Sequence, residues 1–429
     1  MKKQINKQRV VVTGVGVVSP IGTGVDEFSR NLFDAFCGLT HQPIMEETGF
    51  ACQVAGIPDI SNSHLLPYID DYGLKNSSLL LQYSILAGLE AWKSAGFKIP
   101  ENHNNDADYD TGCIIGSGIG PLDLISEKLV PNTDPKRKRK LRSTIVEQSM
   151  PNAPSAHLSM ALGLGNQISF NSSACATASE AIITAAERIA NGKAKRMLAG
   201  GAESVSTHGW IGFDIMRVLN RSMNETPKKA SCPLSENAAG FIPGAGAGIL
   251  LLESLDSALD RNAPILAEIS GTHINSGGLR NGGTMTAPSS EAVIKCVQES
   301  IKDAEIKASD IDYINGHLSS TMADVLEIQN LSKALARTKD NFPLINSLKA
   351  QTGHCIGAGG AIETIAAIMQ IQTQKVAASI NSKPLHPEIA KIIDEKSVPD
   401  NAINHQIKHV LKTSFGFGDV NACMILSKY

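Results

Sequence analysis

Residues 171–192 read NSSACATASEAIITAAERIANG. One cysteine stands among small polar residues, and an alanine-rich segment follows it. Taken as a helix from Cys175 to Asn191, the segment places Ala178, Ile182, Ala185, Ala186 and Ile189 on one apolar stripe, with Gly192 where a C′ residue belongs. Cys175 then lies in the first helical turn. Unpaired backbone N–H groups and the positive end of the helix dipole favour a thiolate there and can stabilise an oxyanion. A lone cysteine is more often a small buried thiol, so the reading turns on whether partners exist elsewhere in the chain.

Outward from this stretch, strands and helices alternate. RVVVTGVGVV (9–18), TGCIIGS (111–117), KRMLAGGA (195–202) and AGILLLE (247–253) are short apolar runs, each expected to be a buried strand. SLLLQYSILAGLEAWKSAG (78–96) reads as a helix ending in a glycine cap. The second half repeats this alternation, with strand 267–274, helix 290–304, strands 312–317 and 343–347, and helix 359–374. HVLKTS (409–414) and ACMILSK (422–428) flank GFGDVN as a closing hairpin. The expectation is an α/β protein in two similar halves, 1–260 and 261–429, joined near 255–266.

Composition excludes several classes. A formal net charge of −3 gives no overall field for nucleic acid or a membrane surface. The basic-then-apolar start, MKKQINKQRVVVTGVGVV, has the order of a signal peptide, but its apolar part alternates with Gly and Thr and no clean cleavage site follows. No apolar run approaches the ~18 residues needed to span a bilayer. The eight cysteines form no CxxC pair, which suits a reducing compartment, and a cytoplasmic enzyme is expected.

Partners for Cys175 do occur. His317 follows the strand DYING, and His354 follows PLINS across the glycine-rich stretch LKAQTGHCIGAGG. Both thus fall at carboxyl ends of strands, where open α/β sheets place their ligands. FGFGD (415–419) occupies the hairpin turn with backbone N–H groups to offer. One cysteine at a helix start with two histidines at strand ends is a cysteine-based acyl-transfer constellation. His157 and His208 have no such partners and are assigned structural roles.

These residues also carry a family resemblance. ACATASEAI, INGHLSST, NSLKAQTGHCIGAGGAIE and SFGFGDVNA, in this order, resemble the signature blocks of the β-ketoacyl-acyl carrier protein synthases of the thiolase superfamily. VVVTGVGVVSPIG, RSTIVEQSMPNAPSAHLSMALGL and CPLSENAAGFIPGAGAGILLLE extend the likeness over nearly the whole chain. The resemblance implies the thiolase fold, five layers αβαβα built from two similar halves, with the Cys175 helix in the middle layer. It implies a decarboxylating Claisen condensation. Cys175 would take an acyl chain from an acyl carrier protein, and His317 and His354 would donate hydrogen bonds to the malonyl thioester oxygen as the enolate forms.

Further roles are implied in the same way. Backbone N–H groups of Cys175 and Phe417 would form the oxyanion hole, with Phe417 also the gate and Phe415 supporting it. Lys349 would be a buried cation near His354, paired with Glu327. Thr286, Ser319 and Thr321 would contact the pantetheine arm, and Ile119 and Ile145 would line the acyl pocket. Arg139 and Lys140, in the basic run PKRKRKLR (135–142), and Lys75 would dock the acidic carrier. Members of the family dimerise through a strand near the nucleophile, so ISFNSSA (168–174) predicts a homodimer or a heterodimer with a homologous chain-length subunit.

Departures from the family pattern point to a specialised type II polyketide or fatty-acid-like synthase, with a housekeeping elongation enzyme as the alternative. Leu318 replaces a glycine, Asp419 and Val420 alter the GFGGTN block, and Ala239 replaces a basic residue. The expectation is that they narrow or recharge the entrance. A degradative thiolase is disfavoured because the C-terminal turn lacks a second catalytic cysteine, with Cys423 inside the next strand. A non-catalytic chain-length subunit is disfavoured because Cys175 is present. GVGVVS lacks the third glycine of a dinucleotide fingerprint, and GSGIG and GAGAG lack a Walker lysine. No metal and no tightly bound cofactor is expected, since the pantetheine belongs to the carrier.

Overall fold

The computed structural model describes residues 7–101, 106–134, 136, 141 and 143–429. Ten strands build the main sheet. They are β1 (Val10–Ser19), β2 (Thr111–Gly116), β3 (Ile168–Ser169), β4 (Arg196–Glu203), β5 (Gly246–Ser254), β6 (Ala267–Ser276), β7 (Tyr313–Asn315), β8 (Leu344–Asn346), β9 (His409–Gly416) and β10 (Val420–Ser427). Their spatial order is β8-β7-β9-β10-β6-β1-β5-β4-β2-β3, with the short strand Gly22–Thr23 appended to β1.

That order contains a repeat. β3-β2-β4-β5-β1 and β8-β7-β9-β10-β6 are the same third-second-fourth-fifth-first arrangement. Directions repeat too: β4 and β9 run parallel to β2 and β7 and antiparallel to β5 and β10. The halves meet where Val10, Val11 and Val12 of β1 pair with Ile269, Glu268 and Ala267 of β6.

The helices repeat in step. α1 (Leu79–Ser94) and α2 (Ala153–Leu162) cover the outer face of the first half, and α3 (Thr177–Ala190) follows the nucleophile turn. α4 (Ser290–Asp303), α5 (Ala323–Leu335) and α6 (Ile356–Thr373) are their counterparts in the second half. α3 touches β4 and β2 on one side and β10 and β6 on the other, while α6 touches β5 and β4 as well as β9. Both therefore lie between the two sheet halves, which makes five layers, αβαβα: the thiolase fold.

Packing explains the composition of that middle layer. Ala178, Ala181, Ile182, Ala185, Ala358, Ala361, Ile362 and Ile365 are all buried in one core between the halves. β1 and β5 are buried along their whole length, as expected of strands covered on both faces. Ser78 caps α1 by accepting the Leu80 N–H at 3.1 Å, and the helix runs into Gly96 at φ 89°.

Two boundaries differ from the sequence reading. The helix expected over 359–374 starts already at Ile356, so the glycines after His354 are helical. Its glycines serve packing: a methyl at Gly357 would collide with the Gly118 backbone, and one at Gly360 with the Ser179 hydroxyl. The strand expected over 168–174 is paired only at Ile168 and Ser169, on the sheet edge, because the chain then turns into the cysteine loop. Among the described residues no helix is long and apolar enough to cross a membrane.

Candidate active site

Cys175 sits in a 3-10 turn, Ala174–Ala176, two residues before α3. His354 stands two residues before α6, the same place in the second half. The fold repeat therefore brings the nucleophile and one imidazole to matching turns. Ala174 adopts φ 49°, a left-handed conformation costly for a residue with a side chain. Thr177 holds it there: its Oγ1 accepts the Ser173 N–H at 2.8 Å and donates to the Ala174 carbonyl at 2.7 Å.

The closing hairpin supplies the other wall. Gly416 lies so close to this turn that a methyl in its place would be 2.6 Å from the Ser173 carbonyl oxygen. This approach aims the Phe417 N–H at the Cys175 sulfur as a hydrogen-bond donor. Burial pushes the Cys175 thiol up to about 11, with the Lys349 charge and that N–H acting the other way. Desolvation thus outweighs the helix start, and the resting group is a thiol.

The sulfur and one nitrogen from each of His317 and His354 lie within 4.8 Å of one another. The two imidazole rings meet edge to face, centroids 5.4 Å apart. The His354 Nδ1 accepts the Ile356 N–H at 3.2 Å, which leaves the proton on Nε2. That tautomer is a hydrogen-bond donor and offers no Nε2 lone pair to a metal. Burial first, then the Lys349 charge, hold both imidazoles well below their ordinary value, so they stay neutral.

Behind the imidazoles lies a charged network. Lys349 donates to the His317 carbonyl at 2.6 Å and pairs with Glu363. Here the structure corrects the sequence reading, which gave Lys349 to Glu327. Glu327 instead clamps the turn after β7, accepting the His317 and Leu318 N–H groups at 2.8 Å each and the Thr413 hydroxyl at 3.1 Å. Two backbone N–H groups and a hydroxyl hold its oxygens toward that turn, whereas Glu363 on α6 faces the lysine. Lys412, fully buried on β9, takes the second Glu363 oxygen at 2.8 Å.

Glu203 at the end of β4 accepts the Ser117 hydroxyl and the Gly118 and Gly357 N–H groups at 2.8, 2.9 and 3.0 Å. It ties the turn after β2 to the start of α6. Burial raises it to about 7. Sequence reading missed Glu203, Glu363 and Lys412. Their signal was a single charge in an otherwise apolar strand or helix, as in GGAIETIAAI and HVLKTS.

A cavity of about 220 Å³ opens onto Cys175, His317 and His354. Phe213, Phe241, Phe415 and Phe417 wall it, and Glu327 reaches it from α5. Thr286, Ser319 and Thr321 line it in a track from exposed to buried, with Ser319 and Thr321 hydroxyls 3.1 Å apart.

Other expected residues fall elsewhere. Ile119 and Ile145 do not line this cavity: the Ile119 N–H is drawn to Glu203 at 3.3 Å, and Ile145 lines a separate hollow with Tyr72, Lys128 and His157. Lys75 is exposed and 3.7 Å from Asp70. Arg139 and Lys140 lie outside the described residues. Leu318 and Asp419 do not themselves line the cavity. Leu318 is buried in the outer core of the second half. Asp419 is fully buried and accepts the Ser289 and Leu279 N–H groups at 2.8 and 3.2 Å, pinning the loop that carries Thr286. Only Ala239 is exposed.

Fold and site together define a cysteine-dependent acyl-transfer enzyme of the thiolase fold. The match with known proteins narrows this. The model of the beta-ketoacyl synthase N-terminal domain matches residues 7–258, and that of the C-terminal domain residues 266–383. The chain belongs to the β-ketoacyl synthase family, whose reaction is the Claisen condensation of acyl and malonyl thioesters. It is 33% identical to 3-oxoacyl-[acyl-carrier-protein] synthase 2 of Vibrio harveyi, over 99% of both chains. It is equally 33% identical to the chloroplastic 3-oxoacyl-[acyl-carrier-protein] synthase I of Arabidopsis thaliana, over 99% of this chain and 87% of that one. Among solved structures, a type II polyketide ketosynthase in complex with its acyl carrier protein superposes with TM-score 0.85 at 28% identity, covering 99% of this chain and all of that one. A beta-ketoacyl synthase from Burkholderia phymatum gives TM-score 0.86 at 28% identity, over 98% and 100%.

Proposed function

We propose that this chain elongates acyl groups carried on an acyl carrier protein, using Cys175 as nucleophile and His317 and His354 as neutral hydrogen-bond donors. The observation that carries the reading is the convergence of one thiol and two imidazoles at the base of one cavity, where burial and the Lys349 charge favour the neutral rings. The Cys175 sulfur attacks the acyl thioester, its proton passing to the departing pantetheine thiolate. The N–H groups of Cys175 and Phe417 hold the oxyanion. A malonyl thioester then loses carbon dioxide, and the imidazoles stabilise the enolate oxygen. Its carbanion attacks the acyl-cysteine, expelling the Cys175 thiolate and giving a β-ketoacyl-carrier.

Lys349 acts electrostatically, through the His317 carbonyl. Phe417 gates the cavity, and Phe415, whose ring stands 6.0 Å from that of His317, backs the imidazole. The pantetheine arm enters past Thr286, Thr321 and Ser319 and is the carrier's own, so no other cofactor is required. The carrier is the macromolecular partner, docking on Arg139, Lys140 and Lys75. The unpaired edge at β3 supports association with a second copy or a homologous subunit. The protein works in the cytoplasm.

We assign the chain to a specialised type II route of the polyketide kind, a reading supported by its likeness to a type II polyketide ketosynthase at TM-score 0.85 and 28% identity. Full-length identity to the Vibrio harveyi enzyme favours fatty-acid elongation as a second reading. Intact-protein mass tests both. Acyl-loaded carrier should add one acyl group to wild type and none to Cys175→Ala, and malonyl-carrier should discharge it as a product two carbons longer. The product's length and degree of reduction separate the two routes. Failure of every carrier tried, with or without a homologous subunit, would sink the condensing reading.

A further inference from the structure

Lys412 has no part in the chemistry above, yet it is among the most deeply buried charged groups in the protein, fully inaccessible on β9. Its Nζ is 2.8 Å from Glu363 Oε2 and donates to the Ser414 hydroxyl at 3.1 Å and to the Thr413 carbonyl. Ser414 in turn bonds Ser179 on α3 at 2.8 Å. Lys349 holds the other Glu363 oxygen and the His317 carbonyl. One carboxylate thus sits between two ammonium groups. Desolvation makes an unbalanced charge in such a place expensive, so its retention asks for a use.

We propose that Lys412 is a positioning residue of the condensing site: its ammonium supplies the positive charge left after Glu363 has neutralised Lys349, and that surplus keeps both imidazoles in the neutral, hydrogen-donating form. With Lys349 alone, the pair with Glu363 would be neutral and would exert little net field on the rings. With both lysines protonated the three groups sum to one positive charge; burial draws Lys412 below its ordinary value, and the Glu363 carboxylate opposes this. The other groups facing the imidazoles are Cys175, a thiol at rest, and Glu327 on α5. Cys423 on β10 also adjoins Lys412 and stays a thiol, because burial raises it further. Glu327, raised by burial to about 7, acts on Lys412 in the opposite sense, and acid protonates it. Falling pH therefore strengthens the positive field at the moment when the imidazoles would otherwise gain protons. Lys412 and Lys349 both act on His317 and on His354 in that direction.

This inference rests on the condensing reading, and the test separates the two. Condensation is followed in a single turnover from pre-acylated enzyme with malonyl-carrier, from pH 5 to 9, for wild type, Lys412→Met and Lys412→Arg. Methionine keeps the volume and leaves Lys349 and Glu363 as a matched pair. The acid limb of Lys412→Met should rise by about one pH unit, a loss that approaches tenfold only on the acid side of the wild-type limb and vanishes near pH 8, and arginine should restore it. An unchanged acid limb, or a loss of equal size at every pH, overturns the proposal. Should Lys412→Met not fold, carbon-13 histidine NMR of the free wild-type protein decides. The His317 and His354 signals, assigned with His317→Asn and His354→Asn, should stay neutral well below the ordinary imidazole value. Protonation near the ordinary imidazole value of about 6.5 overturns it. A wild type that accepts no acyl group counts against the condensing reading alone, since the NMR titration needs no substrate.

Discussion

The two halves of the molecule share strand order, strand direction and helix placement, but they bring different chemistry to corresponding turns. Before α3 the first half presents a thiol on a strained turn, Ala174 at φ 49°. Before α6 the second half presents an imidazole whose tautomer is set by the Ile356 N–H. Charges are distributed unevenly too. Lys349, Glu363 and Lys412 all belong to the second half, while Glu203 of the first half ties turns together. On the proposed mechanism, one scaffold used twice gives one half the covalent step and the other the electrostatic one.

That division of labour can be broken by exchanging what each turn contributes. Cys175→Ala should abolish the acyl adduct, the largest effect. His354→Ala should still acquire the adduct by mass yet lose condensation by about a thousandfold or more, since it acts on the second substrate. If His354→Ala lost acylation to the same extent, the two halves would not be separable.

The hairpin is the bridge between them. Gly416→Val should slow acylation about a hundredfold with near-native far-UV circular dichroism, because a side chain there strikes the Ser173 carbonyl and pushes the Phe417 N–H away from sulfur. An unaffected acylation rate would remove Phe417 from the oxyanion site.

The equivalence of the scaffold, as opposed to its chemistry, is open to a paired test. Ile182 on α3 and Ile365 on α6 are both fully buried in the middle core. Alanine at either should cost about 2–5 kcal/mol by urea denaturation, and the two losses should agree within about 1 kcal/mol. A large inequality would mean that one half carries the stability of the other.

Smaller effects come from pH. Alkylation of Cys175 in the free enzyme should rise about tenfold per pH unit toward about pH 11, since burial keeps the thiol protonated at neutrality. A plateau near pH 7 would show that the helix start outweighs desolvation. The part of the stability contributed by three buried carboxyl groups should fall as pH rises from about 4.5 to 7, read as the difference from their Gln variants. Glu90, Glu203 and Glu327 have folded values raised to about 7, above their unfolded ones, so the folded state holds protons that the unfolded state has already lost. The stabilisation they provide is complete below the unfolded value and is lost as pH passes through 7.

Much of this was legible in one dimension. Apolar runs bounded by glycine marked the strands, and the 3.6-residue stripe after Cys175 marked α3, because these patterns depend on near neighbours only. His317 and His354 could be found because strand ends are local features. The glycines after His354 misled, since a turn and a tight helix contact both require glycine and only the packed neighbour distinguishes them.

Sequence by itself determined the alternation of strands and helices, the doubled architecture and the three residues at which the chemistry converges. Tertiary structure alone decided which charges meet. Lys349, Glu363 and Lys412 come from three separate segments and pair only when α6 is laid between the sheet halves. It also turned Asp419 inward, where two backbone N–H groups replace the water it would otherwise face. The physical reason is the same in both cases: periodicity is a property of neighbours along the chain, whereas the state of a buried charge depends on every group that folding brings within a few ångströms of it.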